Sequence, residues 1–341
     1  MTTRFGWHGR LAVALGLTAS LAVAAPAVAA TTVRVAGGTT TLRLDAKTVR
    51  ALRRAGIAVS YNKPARAKGA VVSFPISGGT IDPATAKGTL KHKGGLTLKA
   101  GKRKVALTAI TLDSSKGQFT AKAGKKTVAF ASVKGGKVTR EGFATEVAGY
   151  KVAISKKGAA ALNKALGGRA IKAGTKLGTA GSEPTSNEIA LERGTTSIQF
   201  TAQVAGALGQ LRPTITATAP ATFDAATGTL TYPITGGTLN AENFFGTIEH
   251  DGTVTVSGVP LSNPVIGISA SPSLTITNIP AGTLTIGEMP SVDPATRSLT
   301  VRNVGVVLND AAAGLLNQAL RAQLLRGGDT IATATLQGTA R

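Results

Sequence analysis

The sequence predicts a mainly β protein: two tandem antiparallel β-sandwich or open-barrel modules, each with two short helices. Three observations lead there. The chain carries an internal duplication, each copy about 150 residues long. Turn signals recur every 8 to 12 residues within each copy. Gly, Thr, Ala and Val are abundant and aromatic residues make up only 4% of the chain, a residue mix that points to strands.

The duplication is read directly. Phe74-Pro75-Ile76-Ser77-Gly78-Gly79-Thr80 returns as Tyr232-Pro233-Ile234-Thr235-Gly236-Gly237-Thr238. From Phe74 to Gly95, 9 of 22 positions are identical at an offset of 158. Leu162-Asn163-Lys164-Ala165-Leu166 likewise returns as Leu316-Asn317-Gln318-Ala319-Leu320. Two copies of this length imply tandem domains rather than a short-period solenoid. The expected division is a signal peptide over 1–30, a first module over 31–180, a polar linker over 181–187 and a second module over 188–341.

Within the first copy, a strand from Thr40 to Leu44 leads to Asp45, a helix N-cap, with Val49 and Leu52 on one helical face and Gly56 as the stop. Strands are expected at Val71–Ile76, Gly88–His92, Leu96–Leu98, Val105–Leu112, Gln118–Ala121, Thr127–Val133 and Tyr150–Ile154. A second helix starts from Ser155, presents Leu162, Ala165 and Leu166 on one face and stops at Gly167-Gly168; Asn309 takes the capping place in the second copy.

Arg4 and Arg10, the apolar run Leu11 to Ala25 and the small residues Ala27-Val28-Ala29-Ala30 form a secretory signal pattern. With no later apolar run of spanning length and no cysteine for lipidation, the mature protein is expected to be extracellular or held non-covalently to the cell envelope. The absence of cysteine also excludes thiol catalysis, disulfides and Cys-ligated metals.

The copies differ in charge. Residues 31–180 hold 30 Lys+Arg against 5 Asp+Glu, whereas 181–341 hold 7 against 11. All 21 lysines lie in the first copy, so the modules are expected to share a fold but not a surface partner. An anionic cell-wall polymer or membrane surface suits the basic module. Lys outnumbers Arg 21 to 9 there, which favours diffuse attraction over bidentate phosphate recognition. Aromatics are not interleaved with the basic residues, so sequence-specific nucleic-acid binding is not expected.

After the signal pattern the only histidines are His92 and His250, at equivalent positions of the repeat. Strand alternation places each imidazole on the apolar face. Two roles suit it: capping the backbone of the following glycine turn, or ligating a metal or haem iron. An isolated histidine makes a poor zinc site, whereas haem needs only one or two axial ligands and an apolar slot. Tyrosine is another axial ligand; Tyr61 and Tyr150 have no aromatic counterpart in the second copy, whereas Tyr232 matches Phe74 and reads as core.

The run from Val72 through Phe74-Pro75-Ile76-Ser77-Gly78-Gly79-Thr80 to Thr85, its counterpart from Leu230 to Thr238, and the glycine step Gly94-Gly95-Leu96 resemble the central motif of HtaA-type domains. These are secreted or surface domains of Gram-positive bacteria that bind haem and pass it toward uptake systems. The resemblance covers about a third of each module. It implies a β-rich fold with haem held by a Tyr and a His, occurring singly or in tandem. No tryptophan follows Trp7, so the family's early Trp-bearing segment has no counterpart. Where the family places its His, this chain reads Leu98-Lys99-Ala100-Gly101 and Val256-Ser257-Gly258, so no axial ligand transfers by position.

The expected function is therefore non-enzymatic ligand binding, with haem the candidate cofactor and His92, His250 and Tyr61 its candidate contacts. Envelope adhesion through the basic module is the alternative. An enzyme is not expected: no nucleophile elbow, phosphate loop or paired-carboxylate motif is present, and Asp82 and Asp113 have no evident partner in the sequence.

Overall fold

The computed structural model describes residues 32–341, so the signal pattern lies outside the described residues. Each copy forms the expected antiparallel sheet, and each sheet closes on itself. In the first, the ring runs Val71–Ile81, Gly37–Leu44, Lys176–Thr185, Ala144–Ile154, Lys126–Lys134, Gln118–Ala123, Arg103–Asp113 and Gly88–His92, which pairs back with Val71–Ile81. In the second it runs Glu188–Phe200, Thr330–Ala340, Ser298–Leu308, Ile279–Ile286, Ser273–Ile276, Val265–Ile268, Gly246–His250 and Thr229–Asn240, which pairs back with Glu188–Phe200. Closure at eight strands removes the edges that invite edge-to-edge association and leaves an interior just wide enough for side chains to fill.

Alternation builds the interior. Val72, Phe74 and Ile76 are buried between half-buried Val71, Ser73 and Pro75; Leu230, Tyr232 and Ile234 do the same in the second copy. The repeated Gly-Gly supplies a backbone contact that no other residue allows. Gly79 and Gly237 have φ of 136° and 125°, and a Cβ on either would run into the carbonyl oxygen of Thr89 or Thr247 on the next strand. The ladder shifts register there in both copies, between Ile76 and Gly78 and between Ile234 and Gly236. The motif that carries the family resemblance thus sits on a β-bulge.

The helices α1 (Ala46–Arg54), α2 (Lys156–Leu166), α3 (Ala202–Leu211) and α4 (Asp310–Leu320) begin at polar caps. Asp45 Oδ1 accepts from Thr48 N at 3.0 Å, Ser155 Oγ from Gly158 N at 2.8 Å and Asn309 Oδ1 from Ala312 N at 2.8 Å. Gly167 ends α2 in the left-handed conformation, as expected.

Three features depart from the sequence expectation. Gly181 to Thr185, expected as linker, completes the strand Lys176–Thr185 and pairs with Gly37–Thr41. Only Ser186-Asn187 separates the last strand of the first barrel from the first strand of the second. Second, the strands Ile57–Asn62, Arg66–Lys68 and Lys137–Glu141 lie outside the expected set; Ile57–Asn62 stands beyond the closed ring, paired with Gly95–Ala100. Third, Asp82 finds its partner in the other module. The Arg341 guanidinium donates to both of its carboxylate oxygens at 2.9 Å, while Arg34 N donates to Glu188 Oε2 at 2.7 Å. Asp113 pairs locally, with Lys116 Nζ at 3.3 Å.

Candidate ligand cavities

His92 and His250 lie inside their barrels, each only 5% exposed. His92 Nδ1 is 3.1 Å from the Ile110 carbonyl oxygen and His250 Nδ1 is 2.8 Å from that of Pro264. A carbonyl can only accept, so Nδ1 carries the proton in both rings. Nε2 then accepts from a threonine hydroxyl: Thr40 Oγ1 at 2.7 Å for His92 and Thr196 Oγ1 at 2.6 Å for His250. Thr40 Oγ1 also lies 2.9 Å from Ser182 Oγ.

Burial disfavours the charged ring. It drives the pKa of His92 down to about 4, against a smaller upward effect from the Ile110 carbonyl, and lowers that of His250 with the same opposition from Pro264. The space beside each imidazole is about 20 Å³, room for roughly one water. In this arrangement each histidine ties strands together across the barrel interior, a role distinct both from turn capping and from contact with a large ligand.

Tyr61 is placed differently. On the strand Ile57–Asn62, outside the ring, it lines a cavity of about 340 Å³ between the barrel, α1 and α2. Leu44, Leu52, Leu98, Leu162 and Ile171 form much of the wall, and exposed Arg53 stands at the mouth. Burial alone raises the pKa of the Tyr61 hydroxyl. Thr48, the other polar group, gives its hydroxyl hydrogen to the Lys176 carbonyl at 2.6 Å.

The second copy holds the corresponding cavity, about 260 Å³, between its barrel, α3 and α4. Phe200, Leu208, Val256, Leu316 and Leu325 line it where the first copy has Leu44, Leu52, Leu98, Leu162 and Ile171. Strand pairing and helix position give the other equivalences: Tyr61 faces Leu96 as Ala217 faces Val254, and Thr48 and Arg53 on α1 correspond to Val204 and Gly209 on α3. Tyr232 lines this second cavity, but its hydroxyl donates to the Leu261 carbonyl at 3.0 Å, and burial raises its pKa.

One repeated sequence element helps shape these cavities. The repeated Leu-Asn-x-Ala-Leu sits on α2 and α4, and its asparagine pins the segment that follows. Asn163 donates to the Ile171 carbonyl at 2.8 Å and accepts from Ile171 N at 3.0 Å; Asn317 holds Leu325 with bonds of 2.7 and 2.8 Å. Those segments place Ile171 and Leu325 in the cavity walls.

No metal-binding group of three or more His, Asp or Glu occurs among the described residues, and no described helix is long and apolar enough to cross a membrane. No protein-family model and no curated protein matches the chain. Among solved structures, the C-terminal domain of HtaA from Corynebacterium glutamicum is similar at 17% identity, covering 45% of this chain and 99% of that domain with a TM-score of 0.34. The N-terminal domain of the same protein is similar at 13% identity, covering 45% of this chain and 98% of that domain, also with a TM-score of 0.34.

Proposed function

We propose that this is a non-enzymatic, secreted binding protein that takes a small apolar ligand into the cavity beside its helix pair. The observation that supports it most is the duplication of that cavity: two copies that share few surface residues both keep an apolar chamber at the same place. Packed interiors ordinarily leave few voids larger than a water, so an apolar chamber kept twice favours a ligand.

Haem is the candidate for the first cavity, in keeping with the HtaA-type motif. The residues present fit it in kind. The apolar wall would take the macrocycle, Tyr61 offers a phenolic oxygen, and Arg53 at the mouth suits a carboxylate. Bound haem would supply an iron that accepts the phenolate oxygen. Haemin titration tests this: a shifted Soret band that Tyr61→Phe abolishes is expected. An unshifted spectrum, or one indifferent to Tyr61→Phe, removes haem from the first cavity.

A second reading, adhesion to anionic envelope polymer, rests on charge. Of the 21 lysines in the first module, only Lys116 and Lys176 form ion pairs among the described residues. Retention on purified cell walls should then fall steeply between low and physiological salt. Retention indifferent to salt contradicts it.

A further inference from the structure

We infer that the second cavity holds the hydrocarbon body of an uncharged lipid and excludes carboxylated ligands, haem included. This rests on the reading that the cavities bind ligands and concerns how they have diverged.

The two chambers share a wall and differ in polar groups. At the positions of Thr48, Arg53 and Tyr61 in the first copy the second copy has Val204, Gly209 and Ala217, of which Val204 lines the chamber. All three changes run from polar to apolar. Among the described residues no charged side chain lines the second cavity. Its one phenol, Tyr232, is committed to the Leu261 carbonyl. A carboxylate drawn into this chamber would lose its hydration with no cation to receive it, in a medium that cannot solvate it. A neutral chain incurs no such cost.

Two further residues mark the entrance. Ile279 is 66% exposed and Leu315 52% exposed, and both line the cavity. The positions that correspond in the first module are Val128 and Ala161, smaller side chains in each case. The second mouth is thus apolar outside as well as in, the surface a lipid chain would cross on leaving a membrane or a micelle. Ala281 also lines the chamber. Its carbonyl accepts from Asn309 N as the Phe130 carbonyl accepts from Ser155 N, so an alanine stands where the first barrel has a phenylalanine ring.

The test uses the full chain and the neutral probe N-phenyl-1-naphthylamine, with 1-dodecanol, dodecanoate and haemin as competitors. Ala281→Phe, which restores the ring of the other copy, should lower probe affinity about tenfold. Ile279→Ser with Leu315→Ser, at exposed positions that leave the core intact, should lower it several-fold. In the fraction of signal sensitive to these changes, dodecanol should compete at least about tenfold better than dodecanoate, and haemin should not compete. Gly209→Arg, in open space on α3, should narrow the gap between alcohol and acid. Equal competition by dodecanol and dodecanoate overturns the inference while leaving ligand binding standing. A probe that binds neither cavity sinks both.

Discussion

His92 Nε2 lies 2.7 Å from Thr40 Oγ1, and this contact, repeated between His250 and Thr196 at 2.6 Å, bridges two strands through the barrel interior. It accounts for the duplicated histidine without a ligand. Thr40→Val keeps the shape and leaves Nε2 buried without a donor, so it should cost about 1–3 kcal/mol in urea unfolding. A Thr40→Val chain as stable as the parent would show the contact to be idle.

The same burial makes stability depend on pH. His92 has a folded pKa of about 4 against an ordinary value of 6.5, so between those values the unfolded chain binds more protons. The contribution is present in full above pH 6.5 and is lost as pH falls toward 4, amounting to on the order of 3 kcal/mol for His92. The His250 shift has the same direction and adds to it. Melting temperatures measured from pH 7 to pH 4 should fall, and His92→Gln with His250→Gln should flatten that fall.

The bulge glycines admit no substitute. Gly79→Ala sets a Cβ against the Thr89 carbonyl at a left-handed φ of 136° and should cost about 3 kcal/mol or more. Gly209→Ala, on open helix surface, should instead stabilise by a few tenths to about 1 kcal/mol. Thermal unfolding of the two variants checks the contrast.

The Asp82–Arg341 pair should couple the two barrels. Burial works to raise the Asp82 pKa, but the Arg341 hydrogen bond, those from Ala84 N and Thr85, and the Arg341 charge together outweigh it and hold the carboxyl below its ordinary value. Asp82→Asn should separate the calorimetric transitions of the two modules and weaken their coupling by about 1–3 kcal/mol. Lowering the pH through the carboxylate range should have the same effect, because protonation removes the charge that Arg341 holds.

Most of the skeleton was legible in the sequence because it is written in local chemistry. Asp45, Ser155 and Asn309 announce helix starts by residue type, and alternation through Val72, Phe74 and Ile76 announces an inward strand face. Closure of the sheets was not legible, since it depends on Gly88–His92 pairing with both Val71–Ile81 and Arg103–Asp113. The site was legible in part. Tyr61 stood out as a tyrosine without a counterpart, but its place at a cavity depends on Ile57–Asn62 leaving the ring. The histidines stood out by repetition, yet their partners, 52 and 54 residues away, are fixed only by the fold. Asp82 read as unpartnered because Arg341 lies 259 residues along the chain.

The most direct measurement is methyl NMR of leucine-labelled protein titrated with 1-dodecanol. Ligand in the chambers beside the helices should move the methyl resonances of Leu208 and Leu316 in the second module while leaving Leu112, buried in the first barrel, unmoved. Shifts confined to the barrel interiors around His92 and His250, or no shifts at all, would contradict it.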